Sequence, residues 1–161
     1  MTEQKGVNPE LAGRVYPAGD AYSVGREKIR EFARAVKATH PAHYDVEAAR
    51  ELGYKDLVAP PTFAIIVAQR ADAQLIEDPE AGIDFSRVVH ADQRFIHHRP
   101  IIAGDRLVAE LHVDGVRAMG GGAMITTRSE IFGLTPDATG EDSREPVATA
   151  TSSILVRGEG Q

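Results

Sequence analysis

The chain has 161 residues, 42% hydrophobic and 26% charged, an ordinary balance for one globular domain able to bury a single core. It contains no cysteine, which excludes disulfides, thiolate nucleophiles and cysteine-based zinc sites. A net charge of −6, no tryptophan, a polar N-terminus and no apolar stretch of bilayer length point away from nucleic acid, secretion and membranes, so a cytoplasmic protein is expected.

Residues 1–12 read as a flexible, solvated lead-in, with a single domain expected over 13–157. GRVYP opens a short strand. Ser23 is placed to cap a helix in which Tyr22, Ile29, Phe32, Ala33 and Val36 recur at helical spacing, with the charges of REKIRE paired on its solvated face. Asp45 caps a second, short helix through Ala48, Ala49 and Leu52 that Gly53 stops. In PPTFAIIVAQRADAQLI, Pro61 suits a first helical turn, and from Phe63 to Ala68 the residues are apolar on every side. Such a helix is buried, and the second half of the chain must wrap it.

VVHADQRFIHH reads as a strand leading to a Gly104-Asp105 turn. Its His90, Asp92, Arg94 and Ile96 are assigned to one exposed face, with Gln93 and Phe95 on the other, lining an acyl tunnel or packing in the core. DRLVAELHVDGV alternates strictly, with Leu107, Ala109, Leu111 and Val113 on one face. The glycines at 120–122 are the hairpin turn into AMITTRSEIF, and without a following Lys-Ser/Thr they make a poor phosphate loop. TPDATGEDSREP reads as a mobile acidic connection to a last strand, VATATSSILV. Helices first, one buried helix, then long antiparallel strands imply an α+β chain of hot-dog architecture, a curved antiparallel sheet round a central helix. Its open sheet edge calls for a dimer.

The stretch ATHPAHYD, residues 38–45, carries a resemblance. It is similar to the loop G-D-x-N-P-[LIV]-H-x-D of the MaoC-like hot-dog dehydratases and hydratases, with Pro41, His43 and Asp45 in place and Gly53-Tyr54 ending the short helix. Ala38 stands at the position of the family's catalytic Asp, His40 at its Asn, and Pro60-Pro61 where the family opens its central helix with His-Gly. GREKIRE, ELGYKDLVAPPTF, RVVHADQRF and RPIIAGDRL resemble the small actinobacterial relatives of the non-catalytic, substrate-binding subunit of type II fatty-acid dehydratases, and the N-terminal half of double hot-dog hydratases.

The resemblance implies an acyl thioester ligand carried by an acyl-carrier protein or CoA, no cofactor and no metal, and a partner chain with the complete Asp/His loop. Pro60, Pro61, Phe63, Gln93 and Phe95 are the substrate-binding candidates. His43 is the one catalytic candidate, as a group polarising water or thioester or as a remnant that caps a helix or bonds across an interface. The rival functions are a homodimeric dehydratase or hydratase using His43, and a regulatory protein that binds an acyl thioester. Zinc on His40, His43, His97 and His98 is set aside, because there is no HExxH and adjacent strand histidines point to opposite faces.

Overall fold

The alternating second half of the chain becomes one antiparallel sheet. In the computed structural model, which describes residues 6–159, its body is β3 (Val88–His97), β4 (Arg106–Met119), β5 (Gly122–Pro136) and β6 (Asp142–Val156). Two short strands, β1 (Val15–Tyr16) and β2 (Tyr22–Ser23), both pair with β4, and the order is β1-β4-β5-β6-β3 with β3 at one edge. Leu107, Ala109, Leu111 and Val113 are all buried, as their spacing predicts. The same face continues across the sheet, Val113 pairing with Thr127, Thr127 with Ser152 and Ser152 with Gln93. The inner face is therefore not wholly apolar: Thr127, Ser152 and Gln93 lie along one row, and Ser129, opposite Leu111, is buried in the next.

Helix α3 (Ala64–Ile76) lies on that face and buries Ala64, Val67, Ala68, Ala71 and Leu75 against it. Three of these are alanines, which let the helix axis come close to the sheet. The opposite stripe, with Ile65, Asp72, Ala73 and Ile76 only partly buried and Gln69 exposed, is not covered by the sheet. Helix α1 (Arg26–Ala35) buries Ile29 and Ala33, and its charges pair as Glu27–Arg30, Lys28–Glu31 and, across to the next segment, Arg26–Asp56. Helix α2 (Val46–Glu51) is capped by Asp45, whose carboxylate accepts from the Glu47 and Ala48 amides. Gly53, at φ 93°, ends its turn.

Three expectations change. Ser23 is not a helix cap: it pairs with Arg106 in β2, Val24 stays extended on Asp105, and Gly25 precedes the helix. The acidic segment after Thr135 is no long connection, because β5 runs to Pro136 and β6 starts at Asp142. The Asp137 carboxylate closes that turn by accepting from the Thr139 amide and hydroxyl and the Glu141 amide. The lead-in also ends earlier than expected, since Leu11 is fully buried and Asn8 bonds to the carbonyls of Glu80 and Ala81. Residues 1–5 of that segment lie outside the described residues.

The turn from β3 to β4 holds these parts in place. Arg99 donates to both oxygens of Asp105 at 2.8 and 3.1 Å and pairs with Glu145 at 3.1 Å, while Asp105 also accepts from the Ile102 amide. On this turn hang two other segments. The Val24 amide donates to the Asp105 carbonyl and the Gly104 amide to that of Val24; Ala59 donates to Ile101, and Ala103 to Leu57. Asp105→Ala is expected to lower the unfolding free energy by about 2–3 kcal/mol, because it removes both charge-assisted bonds to Arg99, which keeps Glu145 and the Pro100 carbonyl, and leaves the Ile102 amide without its acceptor. Urea denaturation of the two proteins measures it.

Candidate functional site

Residues 37–45 form a tight loop after α1. Lys37 adopts φ 58°, and the Ala38 amide bonds back to the Ala33 carbonyl, which closes the helix. The His40 Nδ1 accepts from the Ala42 amide and so caps a one-turn 3₁₀ helix, Pro41–His43. This is work that an Asn side chain at the same place could also do. Tyr44 Oη donates to the Ala38 carbonyl, pinning the loop across its mouth.

His43 is partly buried, and its Nδ1 lies 2.7 Å from the Val58 carbonyl oxygen. A carbonyl only accepts, so Nδ1 carries the hydrogen and a neutral ring keeps its Nε2 lone pair for another partner. The bond is neither a helix cap nor a contact across an interface: it ties the loop to the segment before α3. Among the described residues, no carboxylate bonds to His43. The Val58 amide donates to Ala42, so the tie is double.

That segment leads directly into Pro60 and Pro61. Pro60 is buried and Pro61 exposed, and a 3₁₀ turn, Pro61–Phe63, runs into α3. Neither proline has an N–H, so the first amide hydrogen at this helix mouth belongs to Thr62. Phe63 has no exposed surface. It packs edge-on to Phe32, with ring centres 5.4 Å apart, and beside Tyr22. The structure thus ties the His43 loop to Val58, two residues before Pro60, and draws Phe63 into the core.

Gln93 stands elsewhere, in a cavity of about 810 Å³ between the uncovered stripe of α3 and the inner faces of β3 and β6. Neither His43, Pro60, Pro61, Phe63 nor Phe95 lines it. Phe95 packs against the core and stacks on His97, ring centres 6.0 Å apart. The assignment of His90 to the face of Asp92 and Arg94 is corrected by the structure. The pairing of β3 with β6 shifts between His90 and Asp92, so Ala91 is a bulge. The extra residue returns His90 to the side of Gln93, where its Nε2 meets Gln93 Oε1 at 3.2 Å.

Asp72, which the sequence reading passed over, faces the same cavity from α3. Its signal was present in the spacing of Ile65, Gln69, Asp72 and Ile76, which repeats one helical face. Burial pushes its carboxyl up to about 6 from an ordinary 3.8, an effect that the neighbouring His90 partly offsets. Asp72 is therefore protonated more readily in the folded than in the unfolded chain. Its stabilising effect is complete below the unfolded value and is lost as pH rises through the folded one. Relative to Asp72→Asn, the wild-type chain is expected to lose on the order of 2–3 kcal/mol between about pH 4 and pH 7. Thermal melts of both proteins across that range test the sign.

Known proteins are similar to this chain in sequence and fold. A model of the FAS1-like dehydratase domain region matches residues 10–133. The chain belongs to this family. A UPF0336 protein of Leifsonia xyli subsp. xyli is 54% identical over 153 residues, 95% of this chain and 97% of the relative. A chain of the C-terminally truncated HadBC (3R-hydroxyacyl-ACP dehydratase) complex from Mycobacterium tuberculosis superposes with TM-score 0.74 at 37% identity, covering 90% of this chain and 96% of that one. A MaoC-like dehydratase superposes at 0.78 and 33% identity; this chain spans 92% of its own length and 43% of that larger protein. RV0216 of Mycobacterium tuberculosis, a double hot-dog protein, matches at 0.71 with 20% identity, which carries the fold alone. The FAS1-like dehydratase chain described here is thus an α+β hot-dog of the MaoC-like dehydratase and hydratase group. Among the described residues, no helix is long and apolar enough to cross a membrane.

Proposed function

We propose that this chain is the substrate-binding subunit of a (3R)-hydroxyacyl-thioester dehydratase or enoyl-thioester hydratase, holding the acyl chain for a catalytic hot-dog partner. The observation that carries this reading is a loop that keeps its scaffold and has lost its proton-handling carboxylate. Moving water on or off Cα–Cβ of a thioester needs a base, an acid and donors for the charge that builds on the thioester oxygen. Ala38 has no group to move a proton. Pro60 and Pro61 remove two amide donors from the helix mouth, where one such donor is typically worth 100-fold or more in rate.

What the chain retains suits binding. The α3 cavity holds about 810 Å³ and takes apolar wall from Ile65, Ile76, Val88 and Ile154. We assign to substrate His43, through Nε2, Pro60 and Pro61 ahead of α3, and Gln93 at the cavity wall, while Phe63 and Phe95 pack in and against the core. The HadBC relative is itself a complex. Among the described residues β3 pairs with β6 alone, leaving its other edge open, and it exposes Val89 at 44% and Ile96 at 55%. A partner's edge strand laid there would continue the sheet and cover the cavity. Val89→Lys with Ile96→Lys is expected to reduce the associated fraction to monomer, read by light scattering; unchanged mass would place the interface elsewhere.

The direct test is hydration of an enoyl thioester by the purified chain, alone and co-expressed with a hot-dog partner that carries the Asp/His loop. Activity is expected only in the mixture. Ala38→Asp alone leaves the isolated chain at least about 100-fold below it, because the amide donors are still missing. The second reading, a homodimeric enzyme, has one observation in its favour, the free Nε2 of His43. Near-normal turnover by the unmodified chain, abolished by His43→Ala, would establish that reading in place of the first.

A further inference from the structure

The cavity along α3 is not a plain hydrocarbon slot. Ile65, Ile76, Val88 and Ile154 supply apolar wall, but Asp72 projects into the same space from mid-helix, and Gln69 lies one turn before it. From the opposite wall come His90, Gln93 and Ser152, already joined: Ser152 Oγ donates to Gln93 Oε1 at 2.5 Å, and His90 Nε2 to the same oxygen. Asp72 makes no hydrogen bond and no ion pair with any described residue. A saturated chain lying in the cavity would strip water from that carboxylate and return nothing, which is costly for a charged group. A neutral group that both donates and accepts would replace the water, giving its hydrogen to Asp72 and accepting from the Gln69 or Gln93 amide.

We propose that this cavity binds an aliphatic chain carrying a neutral donor–acceptor group within its length, a hydroxyl or a secondary amide, and that Asp72 reads that group. The inference rests on the acyl-channel reading above and narrows it. The two chemical sources are a hydroxyl on the acyl chain and the amides of a pantetheine arm.

The test is titration calorimetry on the purified full-length chain with three probes: the CoA thioester of a saturated medium-length acid, that of the same acid hydroxylated at mid-chain, and free pantetheine. The hydroxylated thioester is expected to bind about tenfold tighter than the saturated one, one hydrogen bond to a charged group. Asp72→Leu should reverse that preference, while Asp72→Asn, which keeps a donor and an acceptor, should retain most of it. If the amides are the source, pantetheine itself binds and loses affinity in Asp72→Leu while the two thioesters stay equal. Thermal melts establish that both variants are folded; if Asp72→Leu is not, Gln93→Leu takes its place, with the same loss of preference expected. Binding of both thioesters with equal affinity in every variant, with no effect on pantetheine, overturns the role of Asp72 and leaves the acyl channel standing. No binding of any probe overturns both.

Discussion

The ion pair between Arg99 and Asp105 is the constraint on which the arrangement depends. It sets the β3–β4 turn, and that turn supplies the backbone partners of Val24 and of residues 57–59. The N-terminal segment and the segment entering α3 are therefore registered on the same few peptide groups. Val58 lies within the second of them, and its carbonyl holds His43. The orientation of the imidazole, the start of α3 and the attachment of α1 thus all follow from one salt-linked turn. Because Asp105 serves a guanidinium and an amide at once, it orders the turn both by charge and by direction.

Much of this was legible in the chain because it rests on local rules. The alternation at 107–113, the glycine hairpin at 120–122, and Asp45 and Gly53 bounding a short helix each depend on a few adjacent residues. The errors lie where a distant partner decides. Ser23 has the side chain of a cap, but β4 holds it in a strand. The acidic segment near 137 looks like loop until one carboxylate is seen to collect three hydrogen bonds and zip the flanking strands together. The apolar run in α3 announced burial correctly, yet concealed that the sheet takes only one side and leaves Asp72 to the other. Of the candidate site, residues 38–45 and 60–61 are short motifs that can be read locally, whereas the bond from His43 to Val58 and the placing of Gln93 in a separate cavity depend on distant partners.

The loop around His43 is held in shape by its own contacts. His40 caps where an Asn could have done so, Tyr44 braces the Ala38 carbonyl, and Asp45 remains a helix cap. These contacts fix backbone shape. Position 38 takes part in this frame through its backbone alone, the Ala38 amide bonding to Ala33 and its carbonyl accepting from Tyr44, so its side chain has no structural duty there. Structural and chemical requirements are thus separable residue by residue, even within one short loop.

The bulge at Ala91 has a consequence for how such a wall can change over time. Residues after it keep their phase with β6, and those before it are turned by half a period. A single inserted or deleted residue there would turn Val88, Val89 and His90 over together and so exchange which of them face α3. Wall chemistry in this fold can therefore be rewritten by a shift of frame within a strand. Position-by-position comparison of relatives around residue 91 would see that event as several substitutions when it is one.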